Sequence, residues 1–169
     1  MDIKNFIREI NDYPEKGISF KDITTLISDV KAFRFTLDVM SDFIPNDIDY
    51  IASIDSRGFI FGSAISDRLN IPNILLRKKG KLPPPVISKE YELEYGQDTI
   101  EVGKITVPKN KKIMIVDDLI ASGGTAKASL DLLEMCGNSV LGIIVAVKLQ
   151  YLNPEKVFTA PIYSVCEYS

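Results

Sequence analysis

From Asp29 onward apolar side chains return at three- and four-residue steps, at Phe33, Leu37, Met40 and Ile44. That interval keeps them on one stripe, so a core-facing helix is expected here, stopped by Pro45 and Asn46. The pattern then changes. Residues 50–54, 74–76, 113–116 and 142–147 are short apolar runs rich in Ile and Val, the form taken by strands buried on both faces. Helical stretches at 59–69 and 126–135 lie between them, the second with Ala126, Leu130 and Leu133 on one face. Such alternation predicts an α/β fold with a mainly parallel central sheet flanked by helices.

One segment breaks the rhythm. Residues 77–107 hold three prolines, Pro83, Pro84 and Pro85, followed by alternation at Tyr91, Leu93 and Tyr95 and then at Ile100 and Val102. A long loop running into a β-hairpin is expected, and loops of that length inside a compact domain are usually either disordered or functional lids. Its basic start, Arg77-Lys78-Lys79-Gly80-Lys81, favours a lid over an anion. No repeat or low-complexity tract divides the 169 residues, 46% of them hydrophobic, so residues 1–169 are expected to form a single domain.

Charge adds mainly exclusions. A formal net charge of -3 gives no reason to expect nucleic-acid binding, so an anionic ligand has to be held by local design. Residues 1–17 mix acids among the apolar positions and match neither a signal peptide nor a membrane span, which makes the cytoplasm the expected location. Cys136 and Cys166 have no CxxC partner and are expected to be buried thiols. The chain has no histidine, which excludes Ser-His-Asp and Cys-His triads, HExxH metalloproteases and HRD-type kinase loops. Chemistry must rest on carboxylates, Lys, Arg, Tyr, backbone donors or a bound cation.

The strongest local signal runs from Ile113 to Thr125, IMIVDDLIASGGT. It joins a buried strand to two acids, a small-residue turn and a helix start. In open α/β sheets ligands collect at the C-terminal ends of strands, where a helix N-terminus offers free N–H groups and a favourable dipole to a phosphate. Gly123 and Gly124 permit close backbone approach, and Ser122 and Thr125 add hydroxyls. The adjacent acids Asp117 and Asp118 would repel a phosphate unless they met sugar hydroxyls or a divalent cation. Neither the P-loop pattern nor GxGxxG is present. Gly-Gly-Thr alone would equally suit an ordinary strand-turn-helix with Asp118 and Ser122 as caps.

With Val-Asp-Asp before it, the segment closely resembles the 5-phosphoribosyl 1-diphosphate (PRPP) signature of type I phosphoribosyltransferases. Three more segments extend the likeness from about Tyr13 to the C-terminus: residues 13–24 (YPEKGISFKDIT), Asp55-Ser56-Arg57-Gly58-Phe59, and Arg77 to Pro83 with Leu93-Glu94-Tyr95-Gly96. Ala121-Ser122-Gly123-Gly124-Thr125 is similar to the Ala-Thr-Gly-Gly-Thr of the adenine-specific branch, whereas 6-oxopurine enzymes tend to carry Asp-Thr-Gly-Lys-Thr. Ser122 keeps the hydroxyl of that threonine, and Asp55 keeps the charge of the family's glutamate.

The resemblance implies the type I phosphoribosyltransferase fold and a purine-salvage reaction in which adenine and PRPP give AMP and pyrophosphate. Carried over by position, it implies that Ala121, Ser122, Gly123, Gly124 and Thr125 wrap the 5'-phosphate while Asp117 and Asp118 face the ribose hydroxyls and, indirectly, Mg²⁺. Arg57 would hold pyrophosphate, with Arg77, Lys78 and Lys81 closing over it from the lid. Ser19, Phe20 and Lys21, within a base-binding segment of about residues 1–28, would bracket adenine. Glu94 would handle the proton of the purine and Tyr95 would order the loop. A homodimer is expected by the same resemblance, with no nucleic-acid or membrane partner. Hypoxanthine, guanine or xanthine as the base, and a non-catalytic PRPP sensor, are the readings that compete with it.

Overall fold

The computed structural model describes residues 1–92 and 96–169. Its centre is a sheet of seven strands whose spatial order is β5-β6-β4-β3-β7-β8-β9. The strands are β3 (Tyr50–Ile54), β4 (Asn73–Lys78), β5 (Val86–Glu92), β6 (Gln97–Gly103), β7 (Lys112–Ile120), β8 (Ser139–Leu149) and β9 (Ile162–Tyr168). Five of them, β4 through β9 in that order, run parallel, and β6 and β5 extend the β4 edge as an antiparallel hairpin. A separate two-stranded ribbon, β1 (Arg8–Asn11) with β2 (Ser19–Asp22), stands apart from the main sheet.

Helices cover both faces, which is why the central strands read as unbroken apolar runs. On one face α1 (Thr24–Ser28), α2 (Val30–Asp42) and α3 (Gly58–Leu69) pack with Ile51, Met114, Val116 and Ile144. On the other, α4 (Gly124–Met135) brings Leu130, Leu132 and Leu133 against Ile113, Ile115, Ile143 and Val145. Successive residues of β7 therefore serve opposite cores.

The α2 stripe lies where its periodicity places it. Asp29 caps the helix, its Oδ1 accepting from the Lys31 and Ala32 amides at 2.9 Å each. The helix ends at Asp42, so Ile44 enters the core from the following turn rather than from the helix. Cys136 and Cys166 are buried and free, and burial raises both thiols, that of Cys166 to about 11.

Two elements differ in extent from their sequence reading. Strand β7 continues four residues past Val116, through Asp117 and Asp118 to Ile120. The loop running into a hairpin is present but shorter than expected: β4 runs through Lys78, residues 79–85 are irregular, and β5 pairs with β6 from Val86 to Glu92. Glu101, buried on β6, holds the start of that irregular piece by accepting from the Gly80 amide at 3.0 Å. Among the described residues no helix is long and apolar enough to cross a membrane.

Candidate active site

A cleft of about 370 Å³ opens at the C-terminal ends of β3 and β7. Residues 55–57 form one wall, the run from Asp117 to Ala126 forms the floor, and Lys78 reaches in from β4. A second cavity of about 450 Å³ adjoins it, lined by residues 17–21 of the ribbon, Leu119 and the turn at Leu149, Tyr151 and Leu152. The two lobes share Arg57, Leu119, Ala121 and Ser122.

The turn keeps its backbone open to the cleft. Gly123 takes φ +89°, a conformation that disfavours a side chain, and a Cβ there would also meet the Pro154 carbonyl at 3.2 Å. It sits at the N-cap of α4, where no side chain caps the helix. The first-turn amides of α4 therefore have no side-chain acceptor among the described residues, the arrangement that suits an anion.

Beside the turn lie the two acids. Asp118 is buried, and the Arg57 Nε stands 3.0 Å from its Oδ2. The Nε–H does not point at that oxygen, which makes no hydrogen bond among the described residues, so the contact is an ion pair with a lone pair still to be satisfied. Burial raises the Asp118 carboxyl, and the Arg57 charge opposes the shift. Asp117 is raised well above its ordinary value, first by burial and then by the charge of Asp118. Its Oδ1 accepts from the Asp118 amide at 2.8 Å. A Cβ on Gly58 would lie 2.8 Å from the same oxygen, so the glycine lets α3 start against β7 and bring Arg57 to the acids.

The lid cations divide. Lys78 lines the cleft, bonded to Asp98 and, at 2.5 Å, to Tyr91 Oη. Burial disfavours its charge, but those two bonds outweigh burial and hold the ammonium above its usual range. Arg77 points elsewhere: its Nε pairs with Asp55 Oδ2 at 3.1 Å, and its guanidinium lies 5.6 Å from the Phe59 ring centre. Lys81 is exposed and outside the cleft lining, its carbonyl accepting from Arg77 Nη1. Glu94 and Tyr95 lie outside the described residues.

In the second lobe Ser19, Phe20 and Lys21 stand together on β2. Phe20 faces the Arg57 guanidinium at 5.6 Å and meets Tyr13 edge-on at 5.2 Å. The Lys21 ammonium is buried and committed to Glu9 at 2.6 Å, Ser19 Oγ and the Tyr168 ring. Leu149, Tyr151 and Leu152 were not singled out by the motifs. The strand-end rule that located residues 121–125 applies equally to the end of β8, and it is the signal that finds them.

Residues 20–160 match the family model described as a phosphoribosyl transferase domain. The adenine phosphoribosyltransferase of Brachyspira hyodysenteriae is 45% identical over 170 residues, covering 99% of this chain and 100% of that protein. The chain belongs to the adenine phosphoribosyltransferase family. The crystal structure of the adenine phosphoribosyltransferase from Thermoanaerobacter pseudethanolicus superposes with a TM-score of 0.94 at 41% identity, covering 99% of this chain and 98% of that one. The Giardia lamblia APRTase, solved in complex with 9-deazaadenine, gives 0.91 at 32% identity over 99% and 97% of the two chains. The mostly parallel seven-stranded sheet is therefore the type I phosphoribosyltransferase fold.

Proposed function

We propose that this member of the adenine phosphoribosyltransferase family transfers the 5-phosphoribosyl group of PRPP to adenine, giving AMP and pyrophosphate in purine salvage. The observation that carries the reading is the junction of the two lobes at Arg57, Ala121 and Ser122, where an anion turn abuts an apolar slot. Residues 121–125 hold the 5'-phosphate through α4 amides and the Ser122 and Thr125 hydroxyls. Asp117 and Asp118 accept from the ribose hydroxyls, which supplies the partner that Asp118 Oδ2 lacks.

The bond from the anomeric carbon to pyrophosphate breaks with its electron pair going to pyrophosphate, and the adenine N9 lone pair forms the new bond. Charge grows on both fragments as they separate. Arg57 and Lys78 face the departing anion, and fixed cations in a partly water-free cleft lower that barrier. Arg77 and Lys81 join them when residues 79–85 fold inward, which excludes water from the anomeric centre. The proton carried by N9 passes to a carboxylate, for which Glu94 is the candidate, with Tyr95 ordering the same loop. Phe20 covers the purine face while the backbone at Ser19 and Lys21 reads its edge.

Mg²⁺ fits this donor set as a partial shell. Among the described residues no three acids or thiols gather as a metal cage, and a hard cation shared with phosphate oxygens needs only one or two carboxylates. Asp117 and Asp118 would meet it through the ribose and pyrophosphate oxygens. When bound it would neutralise charge on the leaving pyrophosphate. A homodimer and a cytoplasmic location follow from family likeness, and sedimentation tests the first.

The experiment is turnover of a purine panel with PRPP and Mg²⁺. AMP from adenine at the highest kcat/KM is expected, and faster nucleotide formation from hypoxanthine or guanine would overturn the substrate assignment.

A further inference from the structure

Tyr91 belongs to none of the motifs that the sequence singles out, yet it joins four elements beside the cleft. Its phenol oxygen, on β5, lies 3.1 Å from Thr125 Oγ1 at the start of α4. The same oxygen accepts from Lys78 Nζ of β4 at 2.5 Å and lies 3.2 Å from Asp98 Oδ2 of β6. Asp98 also accepts from Lys78.

The protons available restrict how this cluster works. An ammonium only donates, a carboxylate only accepts, and the phenol and the threonine hydroxyl carry one proton each. A phosphate in the turn accepts. Thr125 can serve it only by donating its single proton, which leaves an Oγ1 lone pair to be filled from behind. The Tyr91 hydroxyl is placed to fill it, moving its proton from Asp98 to Thr125. The Lys78 ammonium on the phenol oxygen strengthens that donation by polarising the O–H bond. Asp98 keeps Lys78, so no charge is left unpaired by the change.

We propose that Tyr91 is a positioning residue for the phosphate turn, orienting the Thr125 hydroxyl so that its proton points into the cleft. The effect falls on PRPP and not on adenine, whose lobe Tyr91 does not line. The inference rests on the reading of residues 121–125 as the 5'-phosphate turn.

Steady-state kinetics of Tyr91→Phe, Thr125→Val and the double variant test it, with circular dichroism melting to confirm that each folds. Loss of one net hydrogen bond corresponds to about a fivefold change. Tyr91→Phe is expected to raise the KM for PRPP about fivefold, with kcat and the KM for adenine within about twofold. The double variant is expected to raise the KM for PRPP no further than Thr125→Val, because the effect of the phenol on PRPP binding passes through that hydroxyl. An unchanged PRPP KM in Tyr91→Phe, or effects of the two substitutions that multiply, would overturn the proposal. If Thr125→Val is itself silent, the phosphate-turn reading has failed and this inference fails with it. A silent Tyr91→Phe beside an impaired Thr125→Val removes only this inference.

Discussion

The two lobes of the cleft work by different physics. The lobe proposed to take phosphate is made of charge and backbone: uncapped α4 amides, a buried acid pair, and Arg57 bridging towards them. The base lobe is made of Phe20, Leu119, Leu149 and Leu152, with its one buried ammonium, that of Lys21, tied to Glu9 and Ser19. Polar groups held rigidly in a low-dielectric site act on a transition state, whereas apolar walls sort ligands by shape. Rate should therefore depend on the first lobe and purine affinity on the second.

Substitutions can break that division. Arg57→Ala removes the cation proposed to face the leaving group and strands a buried carboxylate, and removing one such electrostatic donor costs about 10²- to 10³-fold in kcat. Single-turnover rates check it, and a loss confined to the KM for adenine would contradict the assignment. Asp118→Asn replaces an acceptor of ribose hydroxyls by an amide, and a hydrogen bond to a charged group is worth about 10- to 100-fold in PRPP affinity. Phe20→Ala should raise the KM for adenine about tenfold through lost stacking, leaving PRPP binding within about twofold.

A smaller effect sharpens the base lobe. Lys148, buried at the end of β8, pairs with Glu155 at 3.1 Å and Glu167 at 2.6 Å, fixing the turn that carries Tyr151 and Leu152. The Glu155 carboxyl is lowered by a backbone hydrogen bond and by Lys148, and that of Glu167 chiefly by Lys148. Groups lowered on folding stabilise the protein above their unfolded value, near 4.5, and lose that contribution as pH falls through their folded values. The thermal midpoint should fall as pH drops below 4.5, and Lys148→Met should shrink that dependence. An identical acid profile in the variant would show that the cluster does not hold the turn.

The lobes also differ in how far the sequence discloses them. Residues 117–125 are contiguous, and their chemistry follows from a buried strand meeting acids, glycines and hydroxyls, so the phosphate lobe is legible in one reading. The base lobe is assembled from residues 17–21, 119–122 and 149–152, joined only by the sheet order β7-β8 and the placement of β1 and β2. Its ribbon strands are mostly exposed or half-buried, without the alternation that marks a strand. The segment at 77–107 shows a related effect. The alternation gives the hairpin, but not the pairing of β6 with β4 that joins it to the main sheet, and that pairing aims Lys78 into the cleft and Arg77 at Asp55.

The most direct test is isothermal titration of PRPP, with Mg²⁺, into the wild-type protein and into Asp118→Asn and Phe20→Ala. Saturable binding to the wild type, weakened about tenfold or more by Asp118→Asn and left nearly intact by Phe20→Ala, is the predicted result. Absence of saturable binding to the folded wild type, or equal affinity in Asp118→Asn, would contradict the account.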